Sequence, residues 1–241
     1  MTNLEGRVIR RRRAFDPPAG VRTDLDILCA LADRLGKRRF FDFTSTQAVF
    51  EELRHASRGG VADYFGITYE RIEAEDGVFW PCPTVGHPGT PRLFAERFPT
   101  PNGRARFHAV HHESPAEIPD ADYPLFLTTG RVMAHYLSGT QTRRIPELEQ
   151  MTPEPLAEIH PITARRYALA NGAAVTLKTR RGTATFMVKV TGSIREDTIF
   201  VPFHWGGTGS ANRLTNAALD PTSRMPEFKV CAVRVEPATH G

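Results

Sequence analysis

The first quarter of the chain contains two segments in which apolar residues recur every three or four positions. The first, DLDILCALADRL at residues 24–35, is followed by Gly36, which favours a helix stop at that point. The second, TQAVFEELRHA at residues 46–56, carries Val49, Phe50 and Leu53 as its apolar stripe. Both patterns predict amphipathic helices that serve as scaffold.

Beyond residue 120 the apolar pattern breaks into short runs separated by turn residues, which predicts a series of strands. A helix is expected at residues 161–170, because proline at the first helical position loses no hydrogen bond. Arg180, Arg181 and Gly182 form the predicted turn of a hairpin. Many short strands with one or two helices between them favour a small closed barrel. The predicted strands cover residues 125–129, 156–159, 175–179, 183–190, 198–203 and 229–235.

Between these regions the chain loses its periodicity. Residues 77–107 fill with proline, glycine and aromatic residues, which favours an extended and ordered connection. The segment HHESPAEIPDADYP, residues 111–124, has the proline-rich and acidic composition of a linker. We therefore predict a domain boundary near residue 120, with one domain at 1–118 and a second at 119–241.

Composition narrows the class of protein. The 241 residues are 40% hydrophobic, and 31 basic residues exceed 27 acidic ones by only four, so no nucleic-acid surface is implied. The arginines at 10–13 are expected to be solvated surface. Cys29, Cys82 and Cys231 are too far apart for a disulfide framework or a paired metal motif, which favours a reducing compartment. No apolar run is long enough to span a membrane and no signal peptide is evident, so a cytoplasmic location without membrane contact is expected.

The loop TTGRVMAHYLSGTQTRR, residues 128–144, carries the first candidate chemistry. Gly130 permits a close approach of the backbone, and hydroxyl, amide and guanidinium groups follow it. These donors suit a phosphate-bearing ligand, because backbone, hydroxyl and guanidinium groups combine on anionic oxygens. The alternative is a polar surface hairpin. The side chains concerned are Thr129, Arg131, Ser138, Thr140, Gln141, Thr142, Arg143 and Arg144.

Two further positions carry alternatives. His160, in EIHP, follows a predicted strand and precedes a predicted helix, so it is a ligand-binding candidate whose simpler role is that of a helix cap or a core histidine. The loop that begins at His204 contains Asn212 and Asn216, whose amides present a donor and an acceptor in one plane to a heterocycle edge. Asparagine is also common in turns for backbone reasons, and Asp220 followed by proline is most simply a turn.

No sequence motif for a complete catalytic site is present. Paired acid and base carboxylates, a Ser-His-Asp order, HExxH and a phosphate-binding loop are all missing from the sequence. His111 and His112 are adjacent in an extended segment and point apart. We therefore predict neither catalytic nor metal-binding residues within this chain.

Taken in order, the motifs resemble a known family. TTGR and SGTQTRR are followed by EIHP, then by FVPFHWG, and then by the asparagine, LDP and PEFK elements before CAV at residues 231–233. This order resembles the carboxyl-terminal region of the molybdopterin guanine dinucleotide oxidoreductases, and most of all the bacterial assimilatory nitrate reductases. WPCP, HPGT and GRARF are similar to the segment that precedes the barrel in that family, so the resemblance covers nearly the whole chain.

The resemblance implies an α+β fold, mainly β in its C-terminal half. It implies a double-psi β-barrel of the aspartate decarboxylase-like type at 119–241, preceded by a partial α/β segment at 1–118 that is a remnant of the core domain with a Pro-rich extension. The implied cofactor is molybdopterin guanine dinucleotide with molybdenum. The implied cofactor-binding residues are Thr129, Gly130, Arg131, His135, Ser138, Gly139, Thr140, Gln141, Thr142, Arg143, His160, His204, Trp205, Asn212 and Lys229.

The resemblance also implies what lies elsewhere. In the family, the cysteines for a 4Fe–4S cluster and the molybdenum ligand belong to an amino-terminal part, so the chain is expected to be a C-terminal piece that is inactive alone. Its partners would be the missing N-terminal domains, nitrate as substrate, and an electron-donating protein or flavin unit. A related formate dehydrogenase and a stand-alone, non-catalytic cofactor-binding module are the alternatives.

Overall fold

The computed structural model describes residues 1–237. The chain divides into two compact units, Met1–Ala109 and Val110–Gly241, which we describe separately. The domain division predicted between residues 118 and 119 falls inside the second unit, in the segment with linker composition, and remains a prediction.

The first unit contains three α-helices and a small antiparallel sheet. The longer helices match the predicted ones, and each has a side-chain cap: the Thr23 hydroxyl accepts from the Asp26 N–H, and the Ser45 hydroxyl accepts from the Ala48 N–H. Two short strands pair antiparallel, and the second of them was not predicted. The elements are β1 (Arg7–Val8), α1 (Asp24–Arg34), α2 (Thr46–Ser57), α3 (Tyr69–Ala74) and β2 (Val78–Phe79).

The core of this unit is small and does not use α1 as the pattern suggested. Val8, Ile67, Ile72, Val78 and Cys82 are buried together, with four aromatic side chains around them. The leucine stripe of α1 faces solvent instead: the exposed fraction is 51% at Leu28, 52% at Leu31 and 65% at Leu35. The helix is therefore amphipathic, as predicted, but its apolar face lies outside the core of the described unit.

The second unit is a closed barrel of six strands in the order β3-β7-β4-β6-β5-β8. Two neighbouring pairs, β3 with β7 and β4 with β6, are parallel, and the other four pairs are antiparallel. The strands are β3 (Leu125–Gly130), β4 (Leu156–Ile159), β5 (Ala174–Lys178), β6 (Thr183–Val190), β7 (Thr198–Pro202) and β8 (Cys231–Pro237).

Alternation along these strands fills the barrel. In β3, buried residues alternate with partly exposed ones at every position, and β4 has the same pattern. The buried core cluster is aliphatic apart from the Cys231 thiol and Phe186, which is 1% exposed. A mainly β, α+β chain with a closed mixed barrel is thus confirmed.

Two predicted elements differ from their observed bounds by two or more residues, and the others by at most one. The helix expected at 161–170 is α5 (Pro161–Arg166), because Ala168 takes a φ of 51° and the chain turns to pack Tyr167 and Leu169 against the barrel core. The last strand begins at Cys231 rather than Lys229. The carbonyl of Val230 accepts from the Asn216 amide instead of pairing with a neighbouring strand.

The loops between strands contain short helices of their own. They are α4 (Pro146–Met151) and the 3₁₀ helices Thr142–Arg144, Gly207–Gly209 and Ala211–Arg213. Among the described residues, no helix is both long and apolar enough to cross a membrane.

Candidate functional site

Two parallel strands bring the main candidate loops together. β3 and β7 are in register, with Gly130 opposite Pro202, so their carboxyl ends lie at the same edge of the barrel. We call this edge the loop edge. Ligands in open α/β sheets bind beyond the carboxyl ends of parallel strands, where loops leave in adjacent positions. Lys229 reaches the same edge, since it lies just before β8, which runs antiparallel to β3.

His204 joins the two loops. Its side chain is fully buried, its Nε2 accepts from the backbone N–H of Val132 at 2.9 Å, and its Nδ1 bonds the carbonyl of Leu137. Because Nε2 accepts, the proton must be on Nδ1, and the ring is neutral. Burial lowers the pKa of His204, and the nearby Arg131 and Arg143 charges lower it further, against the effect of the Leu137 bond. The imidazole is therefore a neutral link between backbone groups.

Arg143 also connects the loop after β3 to the loop after β7. Its guanidinium donates to the carbonyl of His204 at 2.5 Å and to that of Ser138 at 3.2 Å, and it lies 5.8 Å from the centre of the Trp205 ring. Gly139 makes this possible, because it has a φ of 74° and a Cβ there would lie 3.0 Å from the His204 carbonyl oxygen. In this arrangement Arg143 holds protein backbone.

His135 is a second buried imidazole at the loop edge. Its Nε2–H donates to the Thr152 carbonyl at 2.8 Å, and its Nδ1 lies 3.2 Å from the Thr142 hydroxyl. The ring lies edge-on to Trp205, with 5.0 Å between ring centres. His135 and Thr142 thus contribute to the packing beneath the loops.

Arg131 and Lys229 are two of the exposed cations at this edge. Both lie near the ring of Phe203, at 6.0 and 5.7 Å from its centre. Lys229 donates to the Thr129 carbonyl at 2.8 Å, and the Thr129 hydroxyl donates to the Phe228 carbonyl at 3.0 Å. Among the described side chains, Arg131 has no carboxylate within ion-pair distance. Two positive groups therefore border the open side of the edge, as an anionic ligand requires.

The remaining polar candidates also lie on the exposed side. Ser138 and Thr140 share a hydroxyl contact of 3.2 Å, and Gln141 is exposed next to them. Asn212 is exposed on the 3₁₀ helix Ala211–Arg213. A cleft of about 400 Å³ opens beside Arg131, and another of about 300 Å³ opens beside Trp205, both within the size range of small-molecule sites.

His160 is the predicted site residue that the topology separates from the rest. β4 runs antiparallel to β7, so its carboxyl end lies at the edge opposite the loop edge. There the Nδ1 of His160 accepts from the Ile162 N–H at 3.3 Å and caps α5. The simpler role weighed for this residue, a helix cap, describes its contacts.

Asn216 and Asp220 likewise have local partners. The Asn216 amide donates to the Val230 carbonyl and accepts from the Ala218 N–H. The Asp220 carboxylate accepts from the backbone N–H groups of Thr222 and Ser223, which makes the expected turn. Both residues shape the loop and leave Asn212 as its exposed amide.

Sequence reasoning missed several residues that build the loop edge. Phe203 lies beneath both exposed cations, and Phe200 contacts Gly130 closely enough that a Cβ there would lie 2.4 Å from the ring. The hydrophobic run FVPF, directly before His204, could have indicated Phe203. Glu117, which ion-pairs with Arg181, was hidden in a segment that had the composition of a linker.

Comparison with known proteins identifies the barrel. Residues 125–232 match the family described as Molydopterin dinucleotide binding domain. The chain carries a molybdopterin dinucleotide-binding domain. Its matched residues begin with β3 and end within β8, so the match contains both candidate loops, five whole strands of the barrel and the first two residues of β8.

Relatives extend the likeness to both units. The chain is 48% identical to the assimilatory nitrate reductase catalytic subunit of Bacillus subtilis, over 98% of this chain and 34% of that protein. It is 39% identical to the F420-dependent formate dehydrogenase 1 subunit alpha of Methanococcus maripaludis, again over 98% of this chain and 34% of that protein. The chain therefore spans about a third of the length of these relatives. Both are oxidoreductases by name.

A solved structure supports the fold. Acetylene hydratase from Pelobacter acetylenicus superposes with a TM-score of 0.65 at 18% identity, over 94% of this chain and 34% of that one. The domain match and the relatives, in turn, confirm the predicted family resemblance and the cofactor prediction, molybdopterin guanine dinucleotide with molybdenum.

The residues of the loop edge fit the nucleotide part of this cofactor. Arg131 and Lys229 are exposed cations, and the hydroxyl groups of Ser138 and Thr140 supply neutral donors beside them. The same fit does not extend from the nucleotide to the metal ion. Within residues 1–237, no three histidine, cysteine or acidic side chains come together as a metal site. The dinucleotide-binding domain thus offers groups for phosphate and base.

Proposed function

We propose that this chain is the cofactor-holding portion of a nitrate reductase, which reduces nitrate to nitrite. The likeness along 98% of the chain, in both units, carries the proposal, and the identity is 48% for the nitrate reductase relative against 39% for the formate dehydrogenase. When bound, the molybdenum cofactor supplies the two-electron oxygen-atom transfer, while the protein holds and orients the cofactor.

In this proposal the loop edge binds the nucleotide. Arg131 and Lys229 contact the phosphates, with help from the hydroxyls of Ser138 and Thr140, because charge-assisted hydrogen bonds favour anionic oxygens. The exposed amide of Asn212 pairs with the edge of the guanine ring. His204, Arg143 and His135 act from beneath by holding the loops that present these groups.

The fragment by itself is proposed to be inactive. The relatives are about three times longer, since the chain covers 34% of their length. We propose that the N-terminal domains of the same enzyme supply the iron–sulfur cluster and the molybdenum ligand, and that a separate protein or flavin unit supplies electrons. Cys29, Cys82 and Cys231 are all free thiols, which supports a cytoplasmic location.

Titration with guanosine diphosphate, which carries the guanine, ribose and pyrophosphate of the cofactor, tests the binding role. We expect binding to the 241-residue chain, measured by isothermal titration calorimetry, to weaken about tenfold in Arg131→Gln and in Lys229→Gln. Arg166→Gln is the matched control, because Arg166 is an exposed cation on α5 at the opposite edge. Equal loss in all three variants would contradict a phosphate site at the loop edge.

A chimera tests the substrate. This chain replaces the corresponding third of the Bacillus subtilis nitrate reductase, and the hybrid is assayed with nitrate and with formate. We expect nitrate reduction and no formate oxidation. A hybrid that oxidises formate would favour the formate dehydrogenase alternative, and a folded, cofactor-loaded hybrid without either activity would favour the stand-alone module.

A further inference from the structure

The carbonyl oxygen of Leu214 is held by an unusual number of donors. The Thr179 hydroxyl lies 2.9 Å from it, and the Nε and Nη2 of Arg181 lie at 3.2 and 2.9 Å. The Cys231 thiol lies at 3.6 Å, and burial raises its pKa to about 11, so it stays protonated and can donate. A single backbone group thus anchors the hairpin turn between β5 and β6 to the loop after β7.

Glu117 holds Arg181 in place for this contact. Its carboxylate pairs with the Arg181 guanidinium, and one of its oxygens also accepts from the Ala232 N–H at 2.9 Å. The side chain is only 13% exposed. Burial by itself would raise the pKa of Glu117, but the hydrogen bonds from Arg181 and Ala232, together with the positive charges of Arg181 and Arg180, outweigh it and the pKa is lowered. The carboxylate is therefore a charged anchor that is largely removed from solvent.

The hydrogen bonds to the Leu214 carbonyl also restrain the 3₁₀ helix that carries Asn212. The Leu214 N–H donates to the Ala211 carbonyl at 3.0 Å and closes the 3₁₀ helix Ala211–Arg213. On the other side, a Cβ at Gly182 would lie 2.9 Å from the Arg213 carbonyl oxygen, so the hairpin turn packs against the helix backbone. Fixing the Leu214 carbonyl therefore restrains the backbone of the helix that carries Asn212.

We propose that Glu117 and Arg181 are positioning residues that hold the helix Ala211–Arg213, and so aim the Asn212 amide at a purine base bound at the loop edge. This inference rests on the proposed function, since it assumes that the loop edge binds the guanine nucleotide. Arg181 suits the role because its planar guanidinium directs two N–H groups at one oxygen while its remaining nitrogen faces the carboxylate.

Two conservative variants separate this role from general stability. Glu117→Gln keeps an oxygen for the Ala232 N–H but loses the charge that orients Arg181. Arg181→Lys keeps the charge opposite Glu117 but cannot place two N–H groups on the Leu214 carbonyl. Glu236→Gln is the matched control, because Glu236 is an ion-paired glutamate of β8 whose partners are Arg234 and Lys178.

Two ligands distinguish contacts to the base from contacts to the phosphate groups. Guanosine diphosphate reports on base and phosphate together, whereas inorganic pyrophosphate reports on the phosphate groups alone. In the full 241-residue chain we expect both Glu117→Gln and Arg181→Lys to weaken guanosine diphosphate binding about tenfold and to leave pyrophosphate binding within about twofold. Hydrogen exchange at the backbone amides of 211–217 is expected to be about tenfold faster, with exchange in β6 unchanged.

The outcomes decide between the two ideas. Unchanged guanosine diphosphate binding in both variants, or equal loss for both ligands, would overturn the positioning role. If the unaltered chain binds neither ligand, the proposed function fails and the base assignment fails with it. The exchange rates at 211–217 still decide in that case whether Glu117 and Arg181 hold the helix.

Discussion

His204 is a buried imidazole whose two nitrogens both bond backbone groups of the loop after β3. We expect His204→Phe to lower the free energy of unfolding by about 2–4 kcal/mol, since it removes both hydrogen bonds of a buried side chain and leaves the Val132 N–H and the Leu137 carbonyl without this partner. Urea denaturation followed by circular dichroism measures this. His111→Phe is the control, because His111 is exposed in the same unit and its loss is expected to be small.

The same residue gives the chain a pH dependence. The folded pKa of His204 is lowered from its ordinary value of 6.5, so below that pH the unfolded chain binds more protons than the folded one. Stability is therefore expected to fall as the pH drops from about 7.5 to about 5.5. Urea midpoints across this range measure the slope, which is expected to flatten in His204→Phe. An identical slope in both proteins would show that another group titrates.

Gly139 provides a test of backbone geometry at the residue scale. Gly139→Ala is expected to cost about 1–3 kcal/mol of folding free energy, because a side chain at this φ is strained. The new Cβ would also lie 3.0 Å from the His204 carbonyl oxygen. Gly192→Ala is the matched control, since its Cβ would have no atom within 4 Å and its φ is ordinary. Equal melting temperatures for the two variants would contradict the claim that a side chain at position 139 is strained.

At the scale of elements, α1 carries an apolar face that the described unit does not bury. Leu28, Leu31 and Leu35 are each more than half exposed, and contiguous apolar patches promote association. We expect Leu28→Gln with Leu31→Gln to lower the self-associated fraction in sedimentation velocity and to change stability by less than about 0.5 kcal/mol. Asp33→Gln with Arg34→Gln on the same helix is the control. A large loss of stability in the leucine variant would mean that the face is packed.

Some elements have bounds that the local sequence pattern predicted correctly. Both N-terminal helices and the strands β4 and β6 match the predicted bounds closely, because their periodicity and caps are local properties. α5 is shorter than predicted because tertiary packing draws Tyr167 and Leu169 onto the barrel, a contact that no local pattern encodes. The paired strands β1 and β2 are two residues each and leave no periodic signal.

For the whole molecule, the free energy of unfolding is expected to fall a second time at acidic pH. Burial opposes the charge on Glu117, but hydrogen bonds lower its pKa, and hydrogen bonds also lower the pKa of Asp197 and Glu236. Such groups stabilise the folded state above their unfolded pKa values of 3.8 to 4.5, and this contribution is lost as the pH falls through the folded values. Urea midpoints should therefore fall again below about pH 4.5, less steeply in Glu117→Gln.

By itself the sequence determined the amphipathic helices, most of the strands, the closed barrel and the family, since these depend on periodicity, capping and the order of motifs. Tertiary structure alone decided that Arg143 and His204 bond backbone, that His160 lies at the far edge, and that Glu117 reaches Arg181 across 64 positions of sequence. The physical reason is that strand order and register determine which side chains meet, and neither can be read from local pattern. Asn212 was predicted from the sequence, but the contacts of Glu117 and Arg181 that we propose to position it came only from the fold.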